Sequence, residues 1–240
     1  MASGITDTGE IYDDPMYSSF FEDYLRPPPC MNKKIGTERF CRKLHETVLE
    51  WLLVLTAIIM EMADEKALST FHRFNAKSDS RMRYIIQHPR SDEEIKVLEQ
   101  AEDGDGDIIH RHTDFGTYTL LFSQPIAALQ LWDKDNKWKW VKPVPGSIIA
   151  NVGETLEFLT GGYLRTPTHR VAVPPPDQRY TPRLSVIYFS RPDDETKLEP
   201  LDGPVVLREN SKSRFTPPSN CRTVGDWSRD IKWVIGYDYS

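Results

Sequence analysis

Three side chains in this 240-residue sequence can together hold a divalent metal: His112 and Asp114, two positions apart, and the distant His169. Two imidazoles and one carboxylate bind Fe(II) on one face and leave the opposite positions open, which is what oxygen chemistry requires. On an extended chain, residues i and i+2 share a face, so His112 and Asp114 are expected to point together into an interior while Thr113 and Phe115 point away. His169 follows Gly161-Gly162 and heads an apolar run, so the third ligand is expected from a separate strand. Zinc, held by three protein ligands and a water, is the competing metal. The carboxylate among the ligands and the absence of an HExxH helix make zinc hydrolysis the weaker reading. The other histidines, His45, His72, His88 and His110, read as surface or packing residues.

A second pair with chemical potential is Arg183 and Ser185, again two apart on one strand face. A guanidinium grips a carboxylate through a planar fork and a hydroxyl completes the grip, so the pair can anchor an acidic co-substrate. Taken alone, the same pair is nearly uninformative and most often marks a surface arginine on an edge strand.

The elements that must position these groups follow from periodicity. Leu44, Val48, Trp51, Leu52, Leu55, Ile58, Ile59 and Met62 recur at three- and four-residue spacing, predicting one long amphipathic helix from Thr37 to near Asp64. A shorter helix is expected over 65–71, and a strand over 82–88 closed by Pro89. Ser91-Asp92-Glu93-Glu94 carries the pattern of a capping box. From Ile108 onward the chain alternates in short runs between turn signals, as a sandwich or barrel does. The expected strands are 108–122, 127–132, 137–141, 147–152, 168–173 and 183–189, with Asp133-Lys134-Asp135-Asn136 as a hairpin turn. The acidic run 102–107 lacks the glycine an EF-hand needs at its sixth position, where Ile108 stands, and reads as a solvated turn. Phe115, Trp132, Phe158 and Tyr188 read as core rather than as pocket lining.

Composition sets outer limits. A net charge of -6 offers no field for nucleic acid or an anionic lipid surface. Cys30, Cys41 and Cys221 show no close pairing, which argues against a disulfide framework and suits a reducing, cytoplasmic setting. The start of the chain has no basic-then-apolar leader, and the apolar run 51–60 is too short to span a bilayer.

The residues around the motifs, His112-Thr113-Asp114-Phe115-Gly116, Trp140-Val141-Lys142-Pro143-Val144-Pro145-Gly146, Asn151-Val152-Gly153-Glu154 through Gly161-Gly162, and His169-Arg170-Val171, come in an order that closely resembles the iron- and 2-oxoglutarate-dependent dioxygenases of the isopenicillin N synthase-like superfamily. The resemblance runs from about Met82 to Pro192. It implies a mainly β fold, a double-stranded β-helix or jelly roll preceded by N-terminal helices. It further implies that His112, Asp114 and His169 bind Fe(II), that Arg183 with Ser185 holds the distal carboxylate of 2-oxoglutarate, and that dioxygen is the oxidant for a small organic substrate of specialised metabolism.

The expected organisation is a tail or irregular wrap over 1–36 and one dioxygenase domain over 37–240. Within it the helical part covers 37–75, the jelly-roll core about 82–192, and a C-terminal extension 193–240. Two departures from the family pattern stand out: Gln87-His88-Pro89 where many relatives have a Tyr-Pro pair, and no strand-and-helix module ahead of the long helix. The underside of that helix is therefore expected to meet a partner or a second copy. Two further readings stay open: a 2-oxoglutarate-independent oxidase of the isopenicillin N synthase type, and a regulatory homologue or subunit whose partner completes the site.

Overall fold

The computed structural model describes residues 3–5, 11–13, 33–100, 107–209 and 213–235. Most of the expected tail over 1–36, Cys30 and residues 102–106 of the acidic run lie outside them. Ser3–Ile5 (β1) and Ile11–Asp13 (β2) pair antiparallel. Eight further strands form two four-stranded antiparallel sheets, and these are the jelly roll. The first sheet has the order β3 (Arg81–Gln87), β10 (Arg183–Phe189), β5 (Tyr118–Phe122), β8 (Ile148–Val152); the second has β4 (Asp107–His112), β9 (His169–Ala172), β6 (Leu129–Trp132), β7 (Trp138–Trp140). The run expected as one strand over 108–122 is two, belonging to different sheets. Strand β10 falls on the expected bounds.

Helix α1 (Lys33–Leu44), a π-helical turn (His45–Leu49) and helix α2 (Glu50–Ile59) cover the outer face of the first sheet. The helix begins before the expected Thr37 and ends before Asp64. Its buried face also differs from the expected one. The core side chains are Leu44, Leu49, Leu53, Ala57 and Met60, whereas Trp51, Leu55, Ile58 and Ile59 are exposed. The π turn is the physical reason, because one extra residue per turn moves every later core position one step along the sequence. Val48, Leu52 and Met62 flank that face, half-buried.

Alternation along β10 divides the sheet's two sides. Val186 and Tyr188 join the helical core with Leu120 and Phe122 of β5, and Arg183 and Ser185 point the other way, between the sheets. Polar groups tie the layers together. The Tyr188 hydroxyl lies 2.8 Å from His45 Nδ1, and the Thr56 hydroxyl 2.7 Å from the Tyr118 hydroxyl. Trp132, expected in the core, lies on an outer face and is substantially exposed.

Helix α3 (Asp92–Glu99) opens on the expected capping box, in which the Ser91 hydroxyl accepts from Glu94 N and the Glu94 carboxylate accepts from Ser91 N. The 133–136 turn forms as expected, with the Asp133 carboxylate accepting from Asp135 N at 2.8 Å. A 3-10 turn (Leu68–Phe71) stands where a short helix was expected. Within the roll, α4 (Glu154–Leu159) joins β8 to β9, and after β10 come α5 (Pro204–Glu209) and α6 (Val224–Ile235). Cys41 and Cys221 are free thiols. Among the described residues, no helix is long and apolar enough to cross a membrane.

Candidate metal centre

His112 closes β4 and His169 opens β9, and the two are cross-strand partners. Register shifts on either side of Ile109 bend β4 toward this pairing, a common device where a strand must re-aim a side chain. Asp114 is not on the strand, as the i, i+2 argument assumed, but in the loop that leaves it. That loop is held from behind by α4. Glu154 N donates to Asp114 O at 2.8 Å and Leu156 N to Gly116 O at 3.2 Å. Gly116 has φ +115°, and a Cβ there would lie 2.6 Å from Ser190 O, so only glycine fits the crevice.

The result is one cluster in which the ligand atoms of His112, Asp114 and His169 all lie within 4.8 Å of one another. His112 Nε2 is 3.8 Å from Asp114 Oδ1, and His169 Nε2 is 3.7 Å from Asp114 Oδ2. Both rings are oriented by their other nitrogen: His112 Nδ1 donates to His110 O at 2.8 Å, and His169 Nδ1 to Pro167 O at 3.1 Å. A carbonyl cannot donate, so each Nδ1 carries the proton and each Nε2 keeps its lone pair aimed at the carboxylate side. Burial pushes the His169 pKa down, favouring the neutral form a metal needs. Two imidazole lone pairs and a carboxylate, converging and unbonded, fit a divalent cation.

Arg183 and Ser185 are both buried on the inner face of β10. Arg183 is 5% exposed, and desolvation pulls its pKa down to about 10. Its one hydrogen bond is Nη1 to Gln87 Oε1 at 2.7 Å, its Nε is unpartnered, and no carboxylate lies within ion-pair distance among the described residues. A buried guanidinium in that state can accept an anion at low desolvation cost. Gln87 and Arg179 were not anticipated. Gln87 is the register partner of Arg183, and Arg179, whose Nε is also unpartnered, lines a cleft with Arg183, Arg90 and His88. The departure at 87–89 from the usual Tyr-Pro pair was the available signal for Gln87; nothing local marked Arg179.

The larger cavities lie elsewhere and carry paired charges. One of about 560 Å³ between α1 and the 3-10 turn is lined by Arg42, which contacts Glu38, Glu46 and Asn75, and by Arg73, which meets Asp193. His45 and His72 in its wall are fully hydrogen-bonded, the packing role expected of them.

A family model described as the 2OG-Fe(II) oxygenase superfamily matches residues 76–192. The 2-oxoglutarate-dependent dioxygenase iboH of Amanita muscaria is 31% identical over 170 residues, which cover 68% of this chain and 77% of iboH. The chain belongs to the 2OG-Fe(II) oxygenase superfamily. Another relative within it, the 2-oxoglutarate-dependent dioxygenase frbH of a Dothideomycetidae species, is 30% identical over 80% of this chain; the chain spans 59% of frbH. A full-length Neurospora crassa protein, solved in complex with alpha-KG, superposes with a TM-score of 0.70 at 20% identity, covering 85% of this chain and 57% of the Neurospora chain. Arabidopsis thaliana DAO1, a dioxygenase for auxin oxidation, gives 0.55 at 21% identity, with 78% of this chain and 62% of that one covered. These two likenesses show the jelly-roll fold.

Proposed function

We propose that this chain is an oxygenase that couples oxidative decarboxylation of 2-oxoglutarate to hydroxylation, desaturation or ring closure of a small organic molecule. The observation that carries the reading is the pairing of two seats. Three metal donors with free lone pairs converge at one place, and on the inner face of β10 a buried guanidinium has no carboxylate partner among the described residues. Iron(II) held by His112, Asp114 and His169 would supply the activation of dioxygen, one oxygen atom passing to succinate and, in hydroxylation, the other to the substrate.

The chain's own residues do the rest. The carbonyls of His110 and Pro167 fix the two ring tautomers. Arg183 binds the distal carboxylate of 2-oxoglutarate with the fork atoms that Gln87 leaves free, and the Ser185 hydroxyl donates to the same carboxylate. Because the chain spans little more than half of several relatives, activity of this length of chain is part of the proposal. So are a single domain over 37–240, a cytoplasmic location and a substrate from specialised metabolism. Association with a partner or second copy belongs on the outer face of α2, where Trp51, Leu55, Ile58 and Ile59 are exposed; a strictly monomeric mass in solution would count against it.

The test is incubation of the full chain with Fe(II), 2-oxoglutarate and dioxygen. Succinate is expected to form in step with 2-oxoglutarate loss and to be absent in His169→Ala. An active chain that releases no succinate would overturn the 2-oxoglutarate assignment.

A further inference from the structure

Two side chains beyond the family match at 76–192 reach back to the loops that carry the metal donors. The first is Trp227 on α6, 4% exposed. Its ring meets Phe115 edge-on with centroids 5.0 Å apart, and Phe158 at 6.1 Å. Phe115 adjoins Asp114, and Phe158 lies on α4. The Arg191 guanidinium carbon lies 4.7 Å from the Phe115 ring centroid, and Arg191 Nη1 donates to Ser228 Oγ at 2.8 Å. Phe115 is thus packed by both a cation and an indole, and α6 contributes to each contact.

The second is Arg214. It donates to the Glu157 carboxylate from Nε at 3.0 Å and Nη2 at 2.7 Å, and Nη2 also reaches Thr166 O at 2.6 Å. Glu157, on α4, is 0% exposed and accepts from Thr166 N at 2.7 Å. Thr166 directly precedes Pro167, the residue whose carbonyl orients the His169 ring. Arg214 therefore ties the approach to His169 onto α4, and Trp227 ties Asp114's neighbour onto the same short helix.

The Glu157 carboxylate is fully buried while the Arg214 side chain is 47% exposed, so solvent weakens the attraction and burial of the carboxylate offsets much of what remains; what the forked guanidinium–carboxylate contact supplies is geometry. A tryptophan wedged between two rings of different elements likewise fixes their separation. We propose that Arg214 and Trp227 are positioning residues for the metal site. They hold the Asp114 and His169 loops against α4, so that the donor set is assembled before the metal arrives. The proposal rests on the reading of His112, Asp114 and His169 as ligands.

The experiment uses the full chain and Mn(II) alone, with free Mn(II) followed by its paramagnetic resonance and folding followed by circular dichroism. Arg214→Ala and Trp227→Ala are expected to bind Mn(II) about tenfold more weakly while remaining folded, a loss of about 1.4 kcal/mol of binding free energy. Arg214→Lys and Trp227→Phe are expected to fall between these and wild type, and they carry the comparison where an alanine variant does not fold. Arg208→Ala, which breaks the exposed pair with Glu61, is expected to bind as wild type. Variants that unfold at lower temperature yet bind Mn(II) as tightly as wild type would overturn the proposal, leaving a purely structural role. Failure of wild type to bind, or wild-type binding by His169→Ala, would instead overturn the ligand assignment on which it stands.

Discussion

Histidines in the helical layer and at the ligand end of the roll begin alike and finish differently. His45, His72, His112 and His169 each have one ring nitrogen on a backbone carbonyl, of His72, Leu68, His110 and Pro167 respectively. In the helical layer the second nitrogen accepts from a hydroxyl: His45 Nδ1 from Tyr188 at 2.8 Å and His72 Nε2 from Thr117 at 2.7 Å. At the ligand end the second nitrogen stands 3.7 to 3.8 Å from Asp114, beyond hydrogen-bond reach. A carbonyl fixes the tautomer in all four, and the neighbour of the remaining lone pair separates the packed rings from the candidate ligands. A hydroxyl completes the ring, whereas a carboxylate held at a distance leaves room for a cation.

The largest effect that could break this contrast comes from exchanging its members. His169→Ala is expected to abolish metal retention and lower turnover more than a thousandfold, a change of over 4 kcal/mol. His72→Ala is expected to keep full metal stoichiometry in the folded fraction and instead to lose about 1–3 kcal/mol of stability, because the Thr117 hydroxyl and Leu68 carbonyl lose their partner. Metal content per folded molecule, beside a denaturation curve, separates the two.

Next in size is the helical layer itself. Leu53→Ala is expected to cost about 2–5 kcal/mol and Leu55→Ala under about 0.5, although the apolar periodicity alone ranks them the other way. Equal costs in urea unfolding would remove the one-residue shift imposed by the π turn.

The acid response sharpens the same comparison. Burial moves the His72 pKa from 6.5 down to about 4, so between those values the unfolded chain binds a proton that the folded chain does not. Stability from this group is therefore complete above about pH 6.5 and lost as pH falls toward 4, by about 3 kcal/mol at most. His72→Gln is expected to flatten that slope in unfolding curves taken across the window. A smaller effect is expected at the anion seat, where Arg183→Gln should weaken 2-oxoglutarate binding about 10- to 100-fold without unfolding the chain, as read by calorimetric titration.

Much of this architecture was legible because its signals are local. The Ser91 capping box, the Asp133 turn and the bounds of β10 each depend on a few adjacent residues. The candidate metal donors His112, Asp114 and His169 could be picked out by residue type and spacing, whereas Arg183 took its meaning from the ordered motifs around it. What escaped depended on contacts between distant segments. The π turn shifts the core face from Val48 and Leu52 to Leu49 and Leu53, and α2 is apolar on both sides, so periodicity could not choose between them. Asp114 left the strand because α4 and Ser190 claim its loop. Gln87, Arg214 and Trp227 reach the site across the fold, and nothing adjacent to them in sequence announces it.

The most direct test of the paired seats is an anaerobic titration of the metal-free chain with Fe(II) and 2-oxoglutarate, followed by visible absorption. Wild type and His72→Gln are predicted to develop a band that saturates at one equivalent of each component, and Asp114→Ala to develop none. A featureless wild type, or an undiminished band in Asp114→Ala, would contradict the account.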